Sequence, residues 1–374
     1  MKKNIVVLGL MNKNIGDTVI LETCKYLISK INKDVTVSIY NLLPNEEVLK
    51  KYKIKERHSF FSKIIIYLKW LNPKIQEYYA EILKDADAVI FAGGGLIKFS
   101  REFCWNSLYS VIAYCEKKNI PVFLNAVGVE GYNNLDLYSQ LIKKSLNKTC
   151  VKAITTRDDV ETLKDYRKEN ISLAGDSALW TSDLYPIEMN NKNNIIGVGL
   201  LHKNIFKSYK VDFSEEKIIK TYCGIINELE KRGYKWRLFC NGLQSDYNMG
   251  VKVLQTIGKD ISDTLLAPRP ETKEDYFHLL TSFSSIIAGR LHANIIAASY
   301  NIPSIGLVWN NKLTLFGRSI GCENRFIKKE NFFDSELIVN ELEKAIKHGY
   351  NKETIQKLKN ATVNTLSDFI SAFV

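Results

Sequence analysis

Residues 284–306 read SSIIAGRLHANIIAASYNIPSIG, and their pattern leaves little choice of local fold. Ser285 to Ala288 is a short apolar run broken by Gly289. Leu291 to Ser299 carries apolar residues at helical spacing (Leu291, Ile295, Ala298), and Pro303 to Leu307 is again strand-like. The order is strand, turn, helix, strand. Arg290 and His292 fall in the turn, so a guanidinium and an imidazole stand where a helix N-terminus already favours anions. In an open α/β sheet such a turn lies at the carboxyl ends of the strands, where ligands collect. A solvated arginine and a core histidine are the ordinary readings of the same two residues.

The rest of the chain repeats this grammar. Ile5 to Leu10 is a buried-type strand, the loop Gly9 to Gly16 (GLMNKNIG) follows, and Asp17 to Ser29 has helical spacing. The loop matches neither GxGxxG nor GxxxxGK[ST], which excludes the usual dinucleotide and P-loop assignments. Asn14 and Asp17 stand at N-cap and N3 spacing, and a ligand-binding role for Asp17 is equally open. Val35 to Tyr40 is a second strand. Ala86 to Ala92 is a third and runs into Gly93, Gly94 and Gly95, whose backbone a ligand can approach closely. Ile120 to Val127 adds a fourth strand. Ala153 to Thr155 begins another strand-to-helix junction, where Thr156 and Asp159 have capping-box spacing and Arg157 is expected in the first helical turn. A cation is unfavourable there, which suggests a nearby anion.

Asp183 to Asn194 has the polar, proline-containing composition of a linker, after which the pattern restarts. Ile195 to Leu200 and Lys235 to Cys240 read as strands; Glu215 to Arg232, Ser245 to Ile257 and Thr272 to Leu280 read as helices, with Glu336 to Lys347 and Lys352 to Phe373 as terminal helices. The expected organisation is an N-terminal Rossmann-like domain over 1–185, a second over 195–330, and C-terminal helices over 331–374 that return to the first domain.

A chain of 374 residues, 45% hydrophobic and 25% charged, is long enough for two cores. Its formal net charge of +11 suits an anionic small molecule, an anionic membrane surface or a nucleic acid, and the absence of any nucleic-acid-binding signature ranks the last lowest. The segment Lys51 to Leu71 mixes basic and aromatic residues; it reads as a helix packed on the sheet, with an amphipathic contact to a membrane as the alternative. Seven single cysteines without a CxxC pair point to a reducing cytoplasm, and neither a signal peptide nor a membrane-spanning run is evident. The expected location is cytoplasmic, with peripheral contact at the inner face of the membrane left open.

Taken together the motifs resemble the polysaccharide pyruvyl transferase family. Asn14-Ile15-Gly16-Asp17 is similar to the family's NxGD element, Asp87 to Ile90 with Gly93 to Gly95 to its glycine-rich strand end, Thr156-Arg157-Asp158 to its mid-chain arginine motif, and Gly175-Asp176 to the aspartate that follows. The most specific match is Gly289-Arg290-Leu291-His292-Ala293, followed by Ala297, Pro303, Lys312 and Phe316. Ser177 stands where a proline is common, and Trp309 where a tyrosine is common.

The resemblance implies two Rossmann-like domains facing a cleft in a glycosyltransferase-B-like arrangement. It also implies transfer of pyruvate from phosphoenolpyruvate to a sugar of a cell-surface polysaccharide or its precursor, commonly as a ketal. Phosphoenolpyruvate would be a co-substrate, and neither a further cofactor nor a metal is required. On this reading Arg290, Arg157 and Lys312 supply cations for the donor, and Leu291 lies beside them. His292 moves protons, while Asp17 and Asp176, with Asn14, Gly16 and Gly93 to Gly95, complete the substrate site. The acceptor sugar, whether lipid-linked, nucleotide-linked or polymeric, is left open. The competing readings are a glycosyltransferase with a nucleotide-sugar donor and a non-catalytic module that binds an anionic metabolite.

Overall fold

The computed structural model describes residues 2–11, 14–44, 46–51, 73–98, 102–188, 194–208 and 211–374; the basic aromatic segment lies outside these from residue 52 onward. Two compact units emerge. The first comprises Met1–Met11, Ile20–Ser177 and Lys359–Val374, and the second Asn12–Val19 and Ala178–Leu358. The partition differs from the sequence expectation in three places. Residues 178–185 group with the second unit, residues 331–358 stay with it, and the loop-helix junction around Asp17 is also counted there.

The first unit is built on β1 (Lys3–Gly9), β2 (Val35–Asn41), β3 (Ala88–Ala92), β5 (Val122–Val127), β7 (Val151–Thr156) and β8 (Ile171–Leu173). They form one sheet in the order β2-β1-β3-β5-β7-β8, while β4 (Ile97–Lys98) and β6 (Val129–Glu130) pair separately. Every pairing is parallel. Parallel strands covered on both faces need uninterrupted apolar sequence rather than alternation, and Ile5, Val6, Val7 and Leu8 are all fully buried. β1 is also the point at which the chain turns from one side of the sheet to the other, so its end and that of β3 flank the topological switch point. The C-terminal part of the helix Lys352–Phe373 closes this unit: Thr362 Oγ1 donates to the Gly175 carbonyl at 2.6 Å, and Phe369 stacks on Phe123 at 5.2 Å.

The second unit repeats the design with five strands, β9 (Ile195–Gly199), β10 (Lys235–Phe239), β11 (Ser285–Ala288), β12 (Ser304–Val308) and β13 (Phe326–Lys328), in the order β10-β9-β11-β12-β13. All four pairings are parallel. Two of its helices start where the sequence supplies acceptors for free amides: Ser214 caps Glu215–Lys231, and Thr272 with Asp275 forms a full capping box on Lys273–Thr281. The switch point here falls between β9 and β11, so the turns leaving those strands open onto one crevice position. Among the described residues no helix is long and apolar enough to cross a membrane.

Candidate active site

At the carboxyl end of β11, Arg290 takes the N-cap position of the helix Leu291–Ser299 without capping it through its side chain. The turn is held by its neighbours: Asn294 Nδ2 donates to the carbonyls of Ala288 and Arg290, each at 3.0 Å, and Trp309 Nε1 donates to the Gly289 carbonyl at 2.7 Å. The guanidinium is directed by Asp246, in the first turn of the helix Gln244–Thr256 that follows β10. Arg290 Nε reaches Asp246 Oδ2 at 3.0 Å, and Nη2 reaches Oδ1 and Oδ2 at 2.9 and 2.7 Å. Asp246 is fully buried, and its Oδ1 also accepts from the His202 backbone amide at 3.0 Å and lies 2.6 Å from His202 Nδ1. His202 follows β9 by three residues. Ser245 Oγ stands 3.0 Å from the same ring nitrogen.

A buried carboxylate with two cation-capable partners is stable only because its acceptor sites are satisfied in this way. Tyr276 lies close enough to feel this charge set. Burial pushes its phenol well up, Cys240 adds to the shift and Arg290 opposes it, and its hydroxyl has no hydrogen-bond partner among the described residues.

The second unit also contains the junction ahead of the helix Ile15–Ile31. Gly16 is pressed against His292, so that a Cβ at this position would overlap Cβ, Cγ and Nδ1 of the imidazole. A side chain therefore cannot be placed there without moving His292. Asp17 Oδ1 then stands 3.8 Å from His292 Nδ1, an ion-pairing distance for the protonated ring. Asn14 Nδ2 donates to Asp17 Oδ2 at 3.3 Å, and Asn14 Oδ1 accepts from Asn241 Nδ2 at 2.7 Å. Leu291 opens the helix, and Lys312 lies in the first turn of the next helix, Asn311–Ser319, after β12.

The remaining expected residues belong to the first unit, and their settings correct two expectations. Arg157 is not in a helical turn. β7 continues through Thr156, whose hydroxyl donates to the Val127 carbonyl at 2.8 Å, and the helix Val160–Tyr166 is capped by Asp159. Arg157 is buried and ion-paired through Nη1 with Asp176, with Asp158 Oδ1 3.7 Å from Nε. The anion expected beside this arginine is thus protein carboxylate. The three glycines, expected to present free amides, are partly committed as well. Gly93 and Gly94 have φ of +50° and +72°, which glycine adopts at no steric cost; the Gly93 amide donates to the Asn125 carbonyl at 2.8 Å, and the Gly94 carbonyl accepts from Gly128 at 2.6 Å.

The structure therefore gathers Asn14, Gly16, Asp17, Arg290, Leu291, His292 and Lys312 in one unit, and Gly93 to Gly95, Arg157 and Asp176 in the other. Sequence reasoning missed His202, Ser245 and Asp246. The available signal was position alone, since His202 follows the carboxyl end of β9 at the switch point and Ser245 and Asp246 follow that of the neighbouring β10.

Fold and strand-end chemistry place the chain in the class of two-unit, Rossmann-like α/β proteins to which glycosyltransferases of the B type belong. Among solved structures, the UDP-GlcNAc 2-epimerase of Methanocaldococcus jannaschii matches with a TM-score of 0.62 at 10% identity, covering 99% of this chain and 100% of its own. A putative UDP-N-acetylglucosamine 2-epimerase from Listeria monocytogenes matches at 0.60 and 13%, covering 100% and 95%. A glycosyltransferase from Rickettsia africae matches at 0.50 and 13%, covering 98% and 94%. These likenesses concern the fold. No curated protein matches in sequence. The family model for polysaccharide pyruvyl transferase matches residues 14–311, and the chain belongs to that family.

Proposed function

We propose that the protein moves pyruvate from phosphoenolpyruvate to a sugar of a cell-surface polysaccharide or its precursor, forming a ketal with two sugar hydroxyls. The observation that carries this reading is Arg290 at the switch point of the second unit. Two of its nitrogens are fixed on a buried carboxylate, and it stands in the same turn as His292. Family membership supports transferase chemistry, and the donor's carboxylate and phosphate call for such a preorganised cation.

Reaction begins with a proton delivered to C3 of the donor while a sugar hydroxyl attacks C2. His292 is assigned the delivery, and it recovers a proton from that hydroxyl. Asp17, beside Nδ1, orients the ring. The C2–O bond to phosphate then breaks, its electron pair leaves with phosphate, and the second hydroxyl adds to the resulting oxocarbenium carbon with loss of its proton. Lys312 is assigned a supporting positive charge. Phosphoenolpyruvate enters as co-substrate in this scheme, and the proposed acceptors are lipid-linked, nucleotide-linked or polymeric sugars, which phosphate release would sort.

The test is calorimetric titration of the full chain with phosphoenolpyruvate beside a panel of nucleotide sugars. Saturable phosphoenolpyruvate binding that weakens at least about tenfold in Arg290→Lys is expected, since the lysine cannot reproduce the fork geometry. Binding of a nucleotide sugar with no response to phosphoenolpyruvate, in the presence or absence of that sugar, overturns the assignment.

A further inference from the structure

Asp246 holds two groups at once, and only one has a place in the scheme above. Arg290 and Asp246 together carry no net charge, yet a donor with a carboxylate and a phosphate brings about three negative charges, so one neutralised guanidinium leaves the seat short of donors. His202 is the other group on Asp246, and its geometry decides which ring nitrogen is committed. Asp246 Oδ1 lies 2.6 Å from Nδ1, too close for a lone pair to face a buried carboxylate, so Nδ1 carries a proton. Ser245 Oγ at 3.0 Å and Arg290 Nη2 at 3.3 Å crowd this same nitrogen. All the ring contacts found for His202 among the described residues are made on that edge, leaving Nε2 uncommitted, and the side chain is 20% exposed. A carboxylate that fixes one imidazole nitrogen so that the other meets a ligand is a familiar device of active sites.

We propose that His202 is a donor-contacting residue whose ring takes up a proton from solvent as the ligand binds, so that Nε2–H donates to the anion bound at Arg290, with Asp246 as the positioning residue for both. The inference rests on the phosphoenolpyruvate reading and adds a second imidazole to it, on the β9 side of the switch point, while His292 stands on the β11 side.

The experiment is nitrogen-15 NMR of the full chain labelled at its histidine rings, with the His202 signals identified by their loss in His202→Asn. In the free protein the Nδ1–H pattern is expected, and in Asp246→Asn a mixture of tautomers. Addition of phosphoenolpyruvate should move the His202 Nε2 signal saturably, at the affinity found by calorimetry. His202→Asn retains an amide donor for Asp246 but lacks Nε2, and should weaken phosphoenolpyruvate binding about tenfold without lowering the melting temperature. Phosphoenolpyruvate that binds in the calorimeter while the Nε2 signal stays fixed, or an unchanged affinity in His202→Asn, overturns the inference alone. No calorimetric binding at all overturns the donor reading, and the inference falls with it.

Discussion

Arg157 and Arg290 each lie just past the carboxyl end of a parallel strand, Arg157 after β7 and Arg290 after β11, and each is bound to a buried aspartate. Their surroundings differ in charge and access. Arg157 is paired with Asp176 and has Asp158 3.7 Å away, with 5% of its side chain exposed, so little of the guanidinium faces outward. Arg290 has one carboxylate, adds His202 and Ser245 around it, and keeps 13% exposed. The same residue type at a strand end is a buried ion pair away from the switch point in one unit and a more accessible cation at the switch point in the other. A motif match assigns the residue; only its partners assign the role.

The largest effect separating these roles is on stability. Asp176→Ala leaves the Arg157 guanidinium buried with its main partner gone and is expected to cost about 3–5 kcal/mol in denaturant unfolding. The cost should be smaller for Asp246→Ala, since the exposed edge of Arg290 can take up water. A larger loss in Asp246→Ala would reverse the comparison.

Ligand binding should rank the pair in the opposite order. Arg290→Lys is expected to weaken phosphoenolpyruvate binding by about ten- to a hundredfold, in line with loss of charge-assisted hydrogen bonds, while Arg157→Lys changes affinity by less than about threefold. Equal losses in calorimetry would restore Arg157 as a second donor-binding cation, the role the family resemblance implies.

Gly16 sharpens the comparison from the side of packing. Gly16→Ala forces a methyl group into the His292 ring, at an expected cost of about 1–3 kcal/mol, and displaces that imidazole. Phosphate release should fall more than donor affinity does, because Arg290 is held independently by Asp246. Equal wild-type turnover in Gly16→Ala would show that the position of His292 is irrelevant to the reaction.

Much of this was legible before any coordinates. The unbroken apolar run of β1 and the alternation of strand and helix specify parallel sheets, and Lys352 to Phe373 is a helix as its spacing indicates. What stayed hidden depended on contacts distant in sequence. Thr156 looks like a helix cap, but the β-branched residue instead ends a strand with its hydroxyl on the Val127 carbonyl, which moves the cap to Asp159 and Arg157 out of the helix. Asp246 looks like one more acid at a helix start, where the dipole alone explains it. Its role is visible only when Arg290 and His202, each more than forty residues away in the chain, are seen to share its two oxygens.

The smallest expected effect supplies the scale for the buried pairs. Asp87, in the first unit, accepts from the Asn4 amide at 2.8 Å and from Lys3 Nζ at 3.2 Å, but 35% of its side chain is exposed. The Asn4 hydrogen bond holds its carboxyl below the usual range; burial opposes it, and the hydrogen bond and charge of Lys3 add to the lowering. A folded-state pKa depressed below the unfolded value contributes stability that is present above about pH 4 and is lost as pH falls through the folded value. Solvent screening limits the contribution to less than about 1 kcal/mol. Asp87→Asn should therefore lower stability slightly at pH 7 and lose its difference from wild type as pH falls through the depressed folded-state pKa, in unfolding curves at matched salt. A penalty at pH 7 as large as that of Asp176→Ala would mean that burial does not distinguish these carboxylates, and the contrast between the two arginine turns would lose its physical basis.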